Sequence, residues 1–253
     1  MFSKLKQMIH DRIHRKSVYV TSIYWDSKAE GYDASAVSMW PNTILNEYYN
    51  NELMNIIDLL KLDYNISNVL DLGCGTGIFS RWFAAQGAQV KGIDFSEKAI
   101  QIAISKSNSE NITYHVSSIF DINEQIKYNL IFIKSVLSVA CSSNDQLISV
   151  FNILKPLIAD NGSLFICEPI HKGFLSRVLN INITEFTNIL SAQGFKISFV
   201  KPICFWPVRL LLCYVPWPKF ITSPIYYLGV FLQKLPLLSR LGDYWCISAT
   251  LKK

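Results

Sequence analysis

The sequence has little charge, and its charges do not gather into long runs. Asp, Glu, Lys and Arg make up 17% of its 253 residues, whereas about a quarter of an average soluble domain is charged. The net charge is +5, without the block of like charges that is typical of a nucleic-acid-binding tail. We therefore expect no nucleic-acid partner. Basic residues do gather between Lys4 and Lys16, so an anionic membrane surface is the more natural charged partner.

The patterns expected of a metal site or a disulfide framework are also missing. The six cysteines are scattered, without a CxxC pair and without a histidine at ligand spacing. This arrangement predicts buried thiols in a reducing compartment, and no metal. The N-terminal stretch does not match a secretory signal peptide, because its charges continue through Arg15 and Lys16 and no apolar segment with a cleavage site follows. We expect a cytoplasmic protein that can also associate with the cytoplasmic face of a membrane.

A continuous membrane-spanning stretch is absent as well. The most apolar segment, residues 203–241, contains Arg209, Lys219 and Lys234, so its longest uncharged piece falls short of the roughly 20 residues that cross a bilayer. Five prolines also interrupt it. We interpret this segment as a hydrophobic lid or docking hairpin inserted before the last strand. Its aromatic side chains either line an apolar acceptor pocket or pack onto the sheet without touching a ligand; they are Trp206, Trp217, Phe220, Tyr226 and Tyr227.

What the sequence does contain is a regular alternation of short apolar runs and amphipathic segments. This alternation predicts an α/β fold with a doubly wound, mainly parallel sheet. Ser96 is a favourable N-cap residue, and Asn182 with Glu185 resembles a capping box. The predicted strands are Asn68–Leu72, Gln89–Asp94, Ile112–Ser117, Leu130–Ser135, Ser163–Cys167, Phe195–Val200 and Tyr244–Leu251, and the predicted helices are Ile78–Gln86, Glu97–Ser105, Asn144–Leu157 and one from Asn182 to Gly194.

Residues 1–62 lack this alternation and are predicted to form a helical, aromatic cap on a core domain of residues 63–253. Apolar residues recur at helical spacing in residues 2–17 with basic residues elsewhere on the wheel, so this helix either packs on the domain or lies on a membrane. Aromatic residues crowd the stretch from Tyr24 to Tyr49. A further helix is predicted from Thr43 to Leu62.

The chemistry is carried by a glycine-rich turn that follows the first strand. In Val69–Gly77, glycines at 73, 75 and 77 let the backbone approach a ligand that a Cβ atom would exclude. The spacing is GxGxG, with Cys74 inside it, and not the GxGxxG that presents helix N–H groups to a pyrophosphate. This difference favours a ligand with an amino-acid tail and no phosphate. Asp71 can supply a carboxylate for the ammonium group of that tail, directly or through water.

A second acid closes the next strand. The two carboxylate oxygens of Asp94 can accept hydrogen bonds from both hydroxyls of a ribose, as in other nucleoside-binding α/β folds. Phe95, the next residue, can then cover one face of an adenine. The combination of glycine turn, Asp71 and Asp94 is far more specific than the glycines alone.

This sequence pattern resembles that of the class I S-adenosylmethionine-dependent methyltransferases. Within that class it is most similar to the small-molecule group that includes ubiquinone and menaquinone biosynthesis enzymes. The similarity runs from Asn68 to Leu251 and includes Leu154-Lys155-Pro156 followed by Asn161-Gly162. It implies a Rossmann-like sheet of seven strands whose last strand is antiparallel, and S-adenosylmethionine as the cofactor. The stretch from Trp25 to Tyr32 resembles the aromatic segment that closes over the cofactor in this group, which places Tyr32 among the cofactor residues.

Two positions depart from the family pattern. An acid often follows the third strand, but this sequence has Ser118 and Ile119 there, so Ser118 or a backbone group must replace it, with help from Asp121. The fourth strand opens with Asn129 where the family usually has Asp. At the end of that strand Ser135 is placed to touch the methionine moiety or the acceptor. The same segment lacks an NPPY-type loop, which argues against a nucleobase or glutamine acceptor.

Methyl transfer is an in-line displacement, so the enzyme mainly has to align the acceptor and exclude water. An oxygen acceptor usually also needs a general base. His171, just beyond the fifth strand, is our candidate base, and the alternative is a solvated loop histidine. Glu168, at the end of that strand, either orients the acceptor and holds a proton or caps a neighbouring helix. His115 is expected to be a hydrogen-bonded core residue of the third strand.

The sequence thus predicts methyl transfer to a small apolar or amphiphilic acceptor, with an oxygen of a quinone, phenol, polyketide or lipid as the favoured target. A membrane-resident acceptor is attractive if the hydrophobic insertion and the N-terminal helix share one face. One alternative is a methyltransferase-like protein that binds the cofactor or a lipid without catalysis. A nicotinamide-dependent reductase ranks lower, because position 78 is Ile78 and the fingerprint of that class is not complete.

Overall fold

The computed structural model describes residues 2–31 and 40–252. A seven-stranded sheet in the order β3-β2-β1-β4-β5-β7-β6 forms its centre. The first five strands are parallel, and β7 is antiparallel to both of its neighbours. The predicted sheet with an antiparallel last strand is therefore confirmed. The strands are β1 (Asn68–Leu72), β2 (Gln89–Asp94), β3 (Ile112–Val116), β4 (Tyr128–Lys134), β5 (Ile158–Glu168), β6 (Phe195–Phe205) and β7 (Gly242–Leu251).

Helices cover both faces of the sheet. Ser96 caps one of them by accepting a hydrogen bond from the Ala99 N–H at 3.1 Å, and Asn182 with Glu185 forms the expected capping box. The described helices are α1 (Phe2–Ile13), α2 (Arg15–Val18), α3 (Ser22–Gly31), α4 (Thr43–Ile57), α5 (Ile78–Ala85), α6 (Glu97–Ser105), α7 (Leu137–Ala140), α8 (Asn144–Leu154), α9 (Ile183–Ala192), α10 (Trp206–Leu212) and α11 (Lys219–Gln233). None of these helices is both long and apolar enough to cross a bilayer.

The central strand β4 shows why the sheet needs a layer on each face. Ile131 and Ile133 are buried on one face against α8 and α9, whereas Leu130 and Phe132 are buried on the other against α4 and α5. Successive side chains of a strand point to opposite faces, so a strand apolar at every position must be covered twice. The N-terminal cap helix α4 thus shares one core with the sheet.

The basic N-terminal helix packs on the domain. Arg12 Nη2 donates to the Phe174 carbonyl at 2.9 Å, and Arg15 Nε donates to the Arg177 carbonyl at 2.8 Å. Asp11 is buried on this side and lies 3.5 Å from Lys28 Nζ. Of the two alternatives for residues 2–17, the structure shows the packed helix.

The hydrophobic insertion departs from the sheet later than predicted. Strand β6 continues to Phe205, because its hydrogen bonds to β7 persist as far as the Phe205–Gly242 pair. Helices α10 and α11 then follow, and Tyr226 of α11 donates its hydroxyl to Glu52 of α4 at 3.0 Å. Strand β5 is also longer than expected, since it begins at Ile158 and not at Ser163.

One predicted core residue is exposed. His115 lies on the solvent-facing side of β3, and the expectation that it is a hydrogen-bonded core residue is wrong. The reason is the position of β3 at the edge of the sheet, where none of its side chains is fully buried. The exposure of His115 cannot be predicted from the sequence of the strand without knowing the order of the strands in the sheet.

Candidate active site

A cavity of about 320 Å³ opens at the carboxyl ends of the strands, beside β1 and β4. The chain order reverses between these two neighbours, and open α/β sheets bind ligands at such a switch point. One half of the cavity, the cofactor half, is lined by the loops that follow β1, β2, β3 and β4. The other half, which we name the acceptor half, is lined by the cap, by the ends of β5, β6 and β7, and by Phe79 of α5, which packs with the cap residues and lies under Lys134 of β4. It includes Trp40, Tyr49, Leu53, Phe79, Lys134, Arg177, Ile203, Cys204 and Tyr244.

The glycine turn forms the floor of the cofactor half. Gly73 and Gly77 have φ values of 72° and 76°, in the left-handed region that favours glycine. A Cβ atom at residue 73 would lie 2.0 Å from Val136 Cγ2, and one at residue 77 would lie 2.3 Å from the Tyr114 hydroxyl. Glycine is thus required at these two positions because the side chains of Val136 and Tyr114 pack directly against the turn. The backbone of the turn faces the cavity at Gly73 and Gly75, where no side chain covers it.

Asp94 ties the glycine turn to the following strand. Its Oδ2 accepts a hydrogen bond from the Gly75 N–H at 2.9 Å, and its Oδ1 accepts one from the Ser96 N–H at 2.9 Å. Burial raises the pKa of this carboxyl, and the backbone N–H groups counteract that rise. These hydrogen bonds fix the orientation of the carboxylate. Asp94 and the neighbouring Phe95 both line the cavity.

Asp71 is the second carboxyl of the cofactor half. It is buried, and its Oδ2 accepts a hydrogen bond from Ser80 Oγ at 2.5 Å. Burial raises its pKa to about 7, while the Ser80 hydroxyl lowers it. A cationic group that entered the cavity beside Asp71 would be stabilised by the ionised form.

Four of the remaining predicted cofactor residues lie in the wall of the cavity, whereas Gly77 is not among the residues that line it. Cys74, Ser118, Ile119 and Ser135 all line it. Ser135 has a φ of 60°, rare for a residue with a side chain, and its N–H donates to the Cys167 carbonyl at 2.9 Å. Burial raises the pKa of the Cys74 thiol, which therefore stays protonated. Tyr32 falls outside the described residues.

Helix α3 closes one side of the cofactor half. Asp26 Oδ1 accepts hydrogen bonds from Ser96 Oγ at 2.6 Å and from the Lys98 N–H at 3.2 Å, which fastens α3 to the start of α6. Trp25 lines the cavity, and its indole N–H donates to the Tyr19 carbonyl at 2.7 Å. The aromatic segment that the sequence pointed to is thus in contact with the site through Trp25.

Glu168 does not reach the cavity. Its carboxylate is fully buried and accepts hydrogen bonds from the N–H groups of Val136, Leu137 and Ser138 at 2.6, 2.9 and 3.1 Å. These are the free N–H groups at the start of α7, which a carboxylate stabilises. The structure therefore shows the helix-capping alternative, and Glu168 positions the loop after β4 instead of an acceptor.

His171 also lies outside the wall of the cavity. Its Nε2 is 2.7 Å from Asp243 Oδ1, and Arg209 Nε is 2.7 Å from Asp243 Oδ2. Arg209 and His171 lower the pKa of the buried Asp243 carboxyl, in opposition to burial. The expected base thus pairs with the buried Asp243 and is not among the described residues that line the cavity.

The aromatic wall comes from a different part of the chain than predicted. None of the five aromatic residues proposed from the insertion lines the cavity, and the wall is formed by Trp40, Tyr49 and Tyr244. The insertion packs on α4 instead, where Tyr226 stacks on Tyr48 with ring centroids 4.8 Å apart. Neither alternative holds for all five residues, because Tyr226 packs on α4 while Phe220 and Tyr227 are exposed.

Sequence reasoning missed two cations that line the acceptor half. Lys134 ends the otherwise apolar strand β4, and Arg177 lies in the loop after β5 with only 8% of its surface exposed. A lysine at the end of a buried strand was the available signal for the first. Nothing in the sequence marks Arg177 as a residue of the cavity.

The part of the chain that the structure describes contains no cluster of three potential metal ligands.

The chain matches the methyltransferase domain family over residues 65–191. It is 28% identical over 159 residues to a ubiquinone biosynthesis O-methyltransferase of Burkholderia lata, covering 55% of this chain and 68% of that protein. It is 25% identical over 167 residues to the mitochondrial ubiquinone biosynthesis O-methyltransferase of Schizosaccharomyces pombe, covering 56% and 59%. Among solved structures, the N-methyltransferase NodS of Bradyrhizobium japonicum, in complex with S-adenosylhomocysteine, superposes with a TM-score of 0.64 at 14% identity, over 92% of this chain and 98% of that one. This last likeness shows the fold alone.

The family match covers half of the chain and contains the whole glycine turn. The residues present fit the cofactor of that family, because a bare turn and two carboxyl groups, Asp71 and Asp94, converge on one cavity. The phosphate-binding glycine spacing of dinucleotide enzymes is absent from that turn. The chain therefore belongs to the class I S-adenosylmethionine-dependent methyltransferases.

Proposed function

We propose that this methyltransferase acts on an oxygen atom of a small amphiphilic aromatic acceptor, of the phenol or quinol type. The observation that carries the proposal is the acceptor half of the cavity, whose wall of Trp40, Tyr49, Leu53 and Tyr244 continues directly from the cofactor half. Apolar and aromatic linings with a few polar groups suit small aromatic ligands. The similarity to two ubiquinone biosynthesis O-methyltransferases supports oxygen as the target.

Residues of the cofactor half would hold the cofactor by its charged and polar ends. Asp71 would accept the ammonium group, and Asp94 would accept both ribose hydroxyls. Phe95 would cover the adenine, beside Ser118 and Ile119. When bound, S-adenosylmethionine supplies a methyl group already activated by a positive sulfur. The protein therefore has to align the acceptor oxygen with that methyl group and exclude water.

The cap supplies this alignment. Helix α4 contributes Tyr49 and Leu53, and Trp40 precedes it with its ring edge-on to Tyr49 at 5.3 Å and to Tyr244 at 6.0 Å. Such edge-to-face contacts fix ring orientation more firmly than aliphatic packing does. A flat acceptor ring would be held between these faces. Neither Glu168 nor His171 lines the cavity, so neither of the two bases expected from the sequence faces the acceptor half.

The cofactor assignment is tested by titration calorimetry of S-adenosylhomocysteine into the protein, with NADH as the contrast. We expect binding of the first and none of the second. Asp94→Ala should weaken binding about tenfold or more, because two hydrogen bonds to a charged group are lost. Asp145→Ala, a change at an exposed carboxylate of α8, is the matched control and should bind normally. Absence of binding by the intact protein contradicts the assignment.

The acceptor class is tested by release of S-adenosylhomocysteine with matched compounds. Catechols and quinols should be methylated, whereas the corresponding anilines and the fully methylated ethers should not. Mass spectrometry of the product then locates the methyl group on oxygen. Methylation of the anilines alone would replace the oxygen acceptor with a nitrogen acceptor.

A further inference from the structure

The acceptor half contains a lysine that makes neither a hydrogen bond nor a close ion pair with the described residues. Lys134 lines the cavity at the end of β4, where its Nζ lies 5.2 Å from the centroid of the Phe79 ring. Within the described part of the chain it donates no hydrogen bond and forms no ion pair. Burial lowers the pKa of this amine, and nearby acids including Asp71 raise it. A desolvated cation in an apolar wall is costly unless a ligand supplies its partner.

Arg177 adds a second cation to the same half of the cavity. Its backbone is fixed, because its carbonyl accepts a hydrogen bond from Arg15 Nε and the next N–H, that of Val178, donates to the Ser138 carbonyl at 3.0 Å. Its guanidinium forms no ion pair with any described carboxylate. The two carboxyl groups of the cavity, Asp71 and Asp94, both belong to the cofactor half. Lys134 and Arg177 thus add two basic side chains to a wall that is otherwise mostly apolar.

We propose that the acceptor is bound as an anion, a phenolate or a phenol bearing a carboxylate, whose ionised oxygen is held by Lys134 with Arg177 as the second cation. This rests on the proposed function and narrows its substrate class. An acceptor that binds as a phenolate leaves its proton in bulk water, so no base is needed in the site. The phenolate oxygen forms the new C–O bond with the methyl carbon, while the electron pair of the breaking C–S bond stays on sulfur. The absence of His171 and Glu168 from the cavity wall is then no obstacle.

The test compares anionic and neutral probes of equal shape. With the protein saturated in S-adenosylhomocysteine, 4-nitrophenolate is compared with nitrobenzene and benzoate with benzamide, by equilibrium dialysis. We expect roughly 10- to 100-fold tighter binding of the anions, the range of a charge-assisted hydrogen bond. Lys134→Met and Arg177→Met should each reduce this preference, and Lys134→Arg should retain most of it. Lys196→Met, at an exposed lysine of β6, is the matched control.

Three outcomes overturn the inference and remain distinguishable. Equal binding of anions and neutral probes, with S-adenosylhomocysteine still bound, refutes the anionic acceptor and leaves the cofactor assignment intact. If Lys134→Met weakens S-adenosylhomocysteine but not 5′-methylthioadenosine, which lacks the amino-acid tail, the lysine holds the cofactor carboxylate instead. If S-adenosylhomocysteine itself fails to bind, the proposed function fails with it.

A separate observation concerns the outer surface, where helix α11 reverses the usual pattern of a surface helix. Its inward side buries Thr222, Tyr226, Gly229 and Gln233. Its outward side exposes large apolar residues, with Phe220 at 78% exposure. Neighbouring residues extend this surface, which we name the α11 face; it comprises Leu211, Tyr214, Val215, Phe220, Tyr227, Leu228, Phe231, Leu235 and Leu237.

The charged residues in the stretch of chain that forms the α11 face all have one sign. Lys219, Lys234 and Arg240 border it, and residues 186–242 contain no aspartate or glutamate. Exposed apolar and aromatic residues ringed by cations are the composition of surfaces that lie on anionic membranes. A helix whose outer side faces only water normally has polar residues at positions such as those of Phe220 and Phe231.

We infer that the α11 face docks on an anionic lipid surface. Apolar side chains would enter the headgroup region, and the bordering cations would contact lipid phosphates. The docking is independent of methyl transfer, because no residue of the α11 face lines the cavity.

Vesicle flotation tests this docking. The intact protein should float with vesicles of phosphatidylcholine and phosphatidylglycerol, less with phosphatidylcholine alone, and less at high salt. Phe220→Ser with Phe231→Ser should leave it in solution, whereas the control Ile104→Ser, at an exposed residue of α6, should not. An intact protein that never floats overturns the inference. So does sedimentation of a dimer that only the double variant dissociates, since a second copy would then cover the face.

Discussion

The cofactor half of the cavity is lined by backbone and carboxylates from loops directly after parallel strands, whereas the acceptor half is lined by side chains from distant segments. Asp71 and Gly73 to Thr76 come from one stretch of the chain, and Asp94 from the next strand. The acceptor half joins Tyr49, Lys134, Arg177 and Tyr244. The cofactor half is formed by short segments that each follow a strand, as in other nucleoside-binding α/β folds. The acceptor half forms only when the cap packs on the sheet.

The two halves also hold their buried acids differently. Asp94 is held by the backbone N–H groups of Gly75 and Ser96, which are part of the turn itself. Asp243, behind the acceptor half, is held by the side chains of Arg209 and His171. A backbone N–H donor survives every substitution except proline, whereas a side-chain donor is lost with its side chain. The acceptor half should therefore be the easier one to change without touching cofactor binding.

The largest effect is expected from Asp243→Asn. Removing this charge leaves Arg209 buried without its counter-ion, which should lower the free energy of unfolding by about 3–5 kcal/mol. Denaturant unfolding measures the loss, and Asp160→Asn, at an exposed carboxylate 3.7 Å from Lys127 Nζ, should change it by less than about 1 kcal/mol.

The same variant separates the two halves. At a temperature where Asp243→Asn is folded, its affinity for S-adenosylhomocysteine should equal that of the wild type. Because the pKa of Asp243 is lowered in the folded protein, its stabilising contribution is present above the unfolded pKa and is lost as pH falls through the folded pKa. Weakened cofactor binding in the folded variant would show that the halves are coupled.

Gly73→Ala should have the next largest effect, and it should act on the cofactor half. The new Cβ would meet Val136 Cγ2 at 2.0 Å in a residue with a φ of 72°, so the loss of stability should be about 3 kcal/mol, with a large loss of S-adenosylhomocysteine affinity. Gly194→Ala has a φ of 86° with nothing within 4 Å. It isolates the backbone strain and should cost about 1 kcal/mol without affecting affinity.

The smallest expected effect is a pH dependence of cofactor affinity through Asp71. Its pKa of about 7 means that the fraction of ionised carboxyl, the form that attracts an ammonium group, rises between about pH 6 and about pH 8. Affinity for S-adenosylhomocysteine should rise about tenfold over this interval and should be flat in Asp71→Asn. The folded apo protein keeps a proton that the unfolded chain releases, so this group's contribution to stability falls as pH rises from about 4 to 7. An affinity that does not change with pH would remove Asp71 from the ammonium site.

The strands and helices around the glycine turn were predictable because local patterns decide them. Strand β2 and helix α6 begin and end at the predicted residues. Ends set by pairing were not predictable, and β6 extends to Phe205 because β7 runs beside it. His115 was misplaced for the same reason, since only the strand order puts β3 at an edge.

The sequence by itself determined the sheet, the glycine turn and the two carboxyl groups of the cofactor half. In each case residues that act together are close in the chain or end neighbouring strands, so spacing alone brings them together. Tertiary structure decided that Glu168 caps α7, that His171 pairs with Asp243, and that Lys134 and Arg177 face one cavity. These roles depend on contacts between segments that are far apart in the chain, and such contacts are selected by packing and charge in the folded protein.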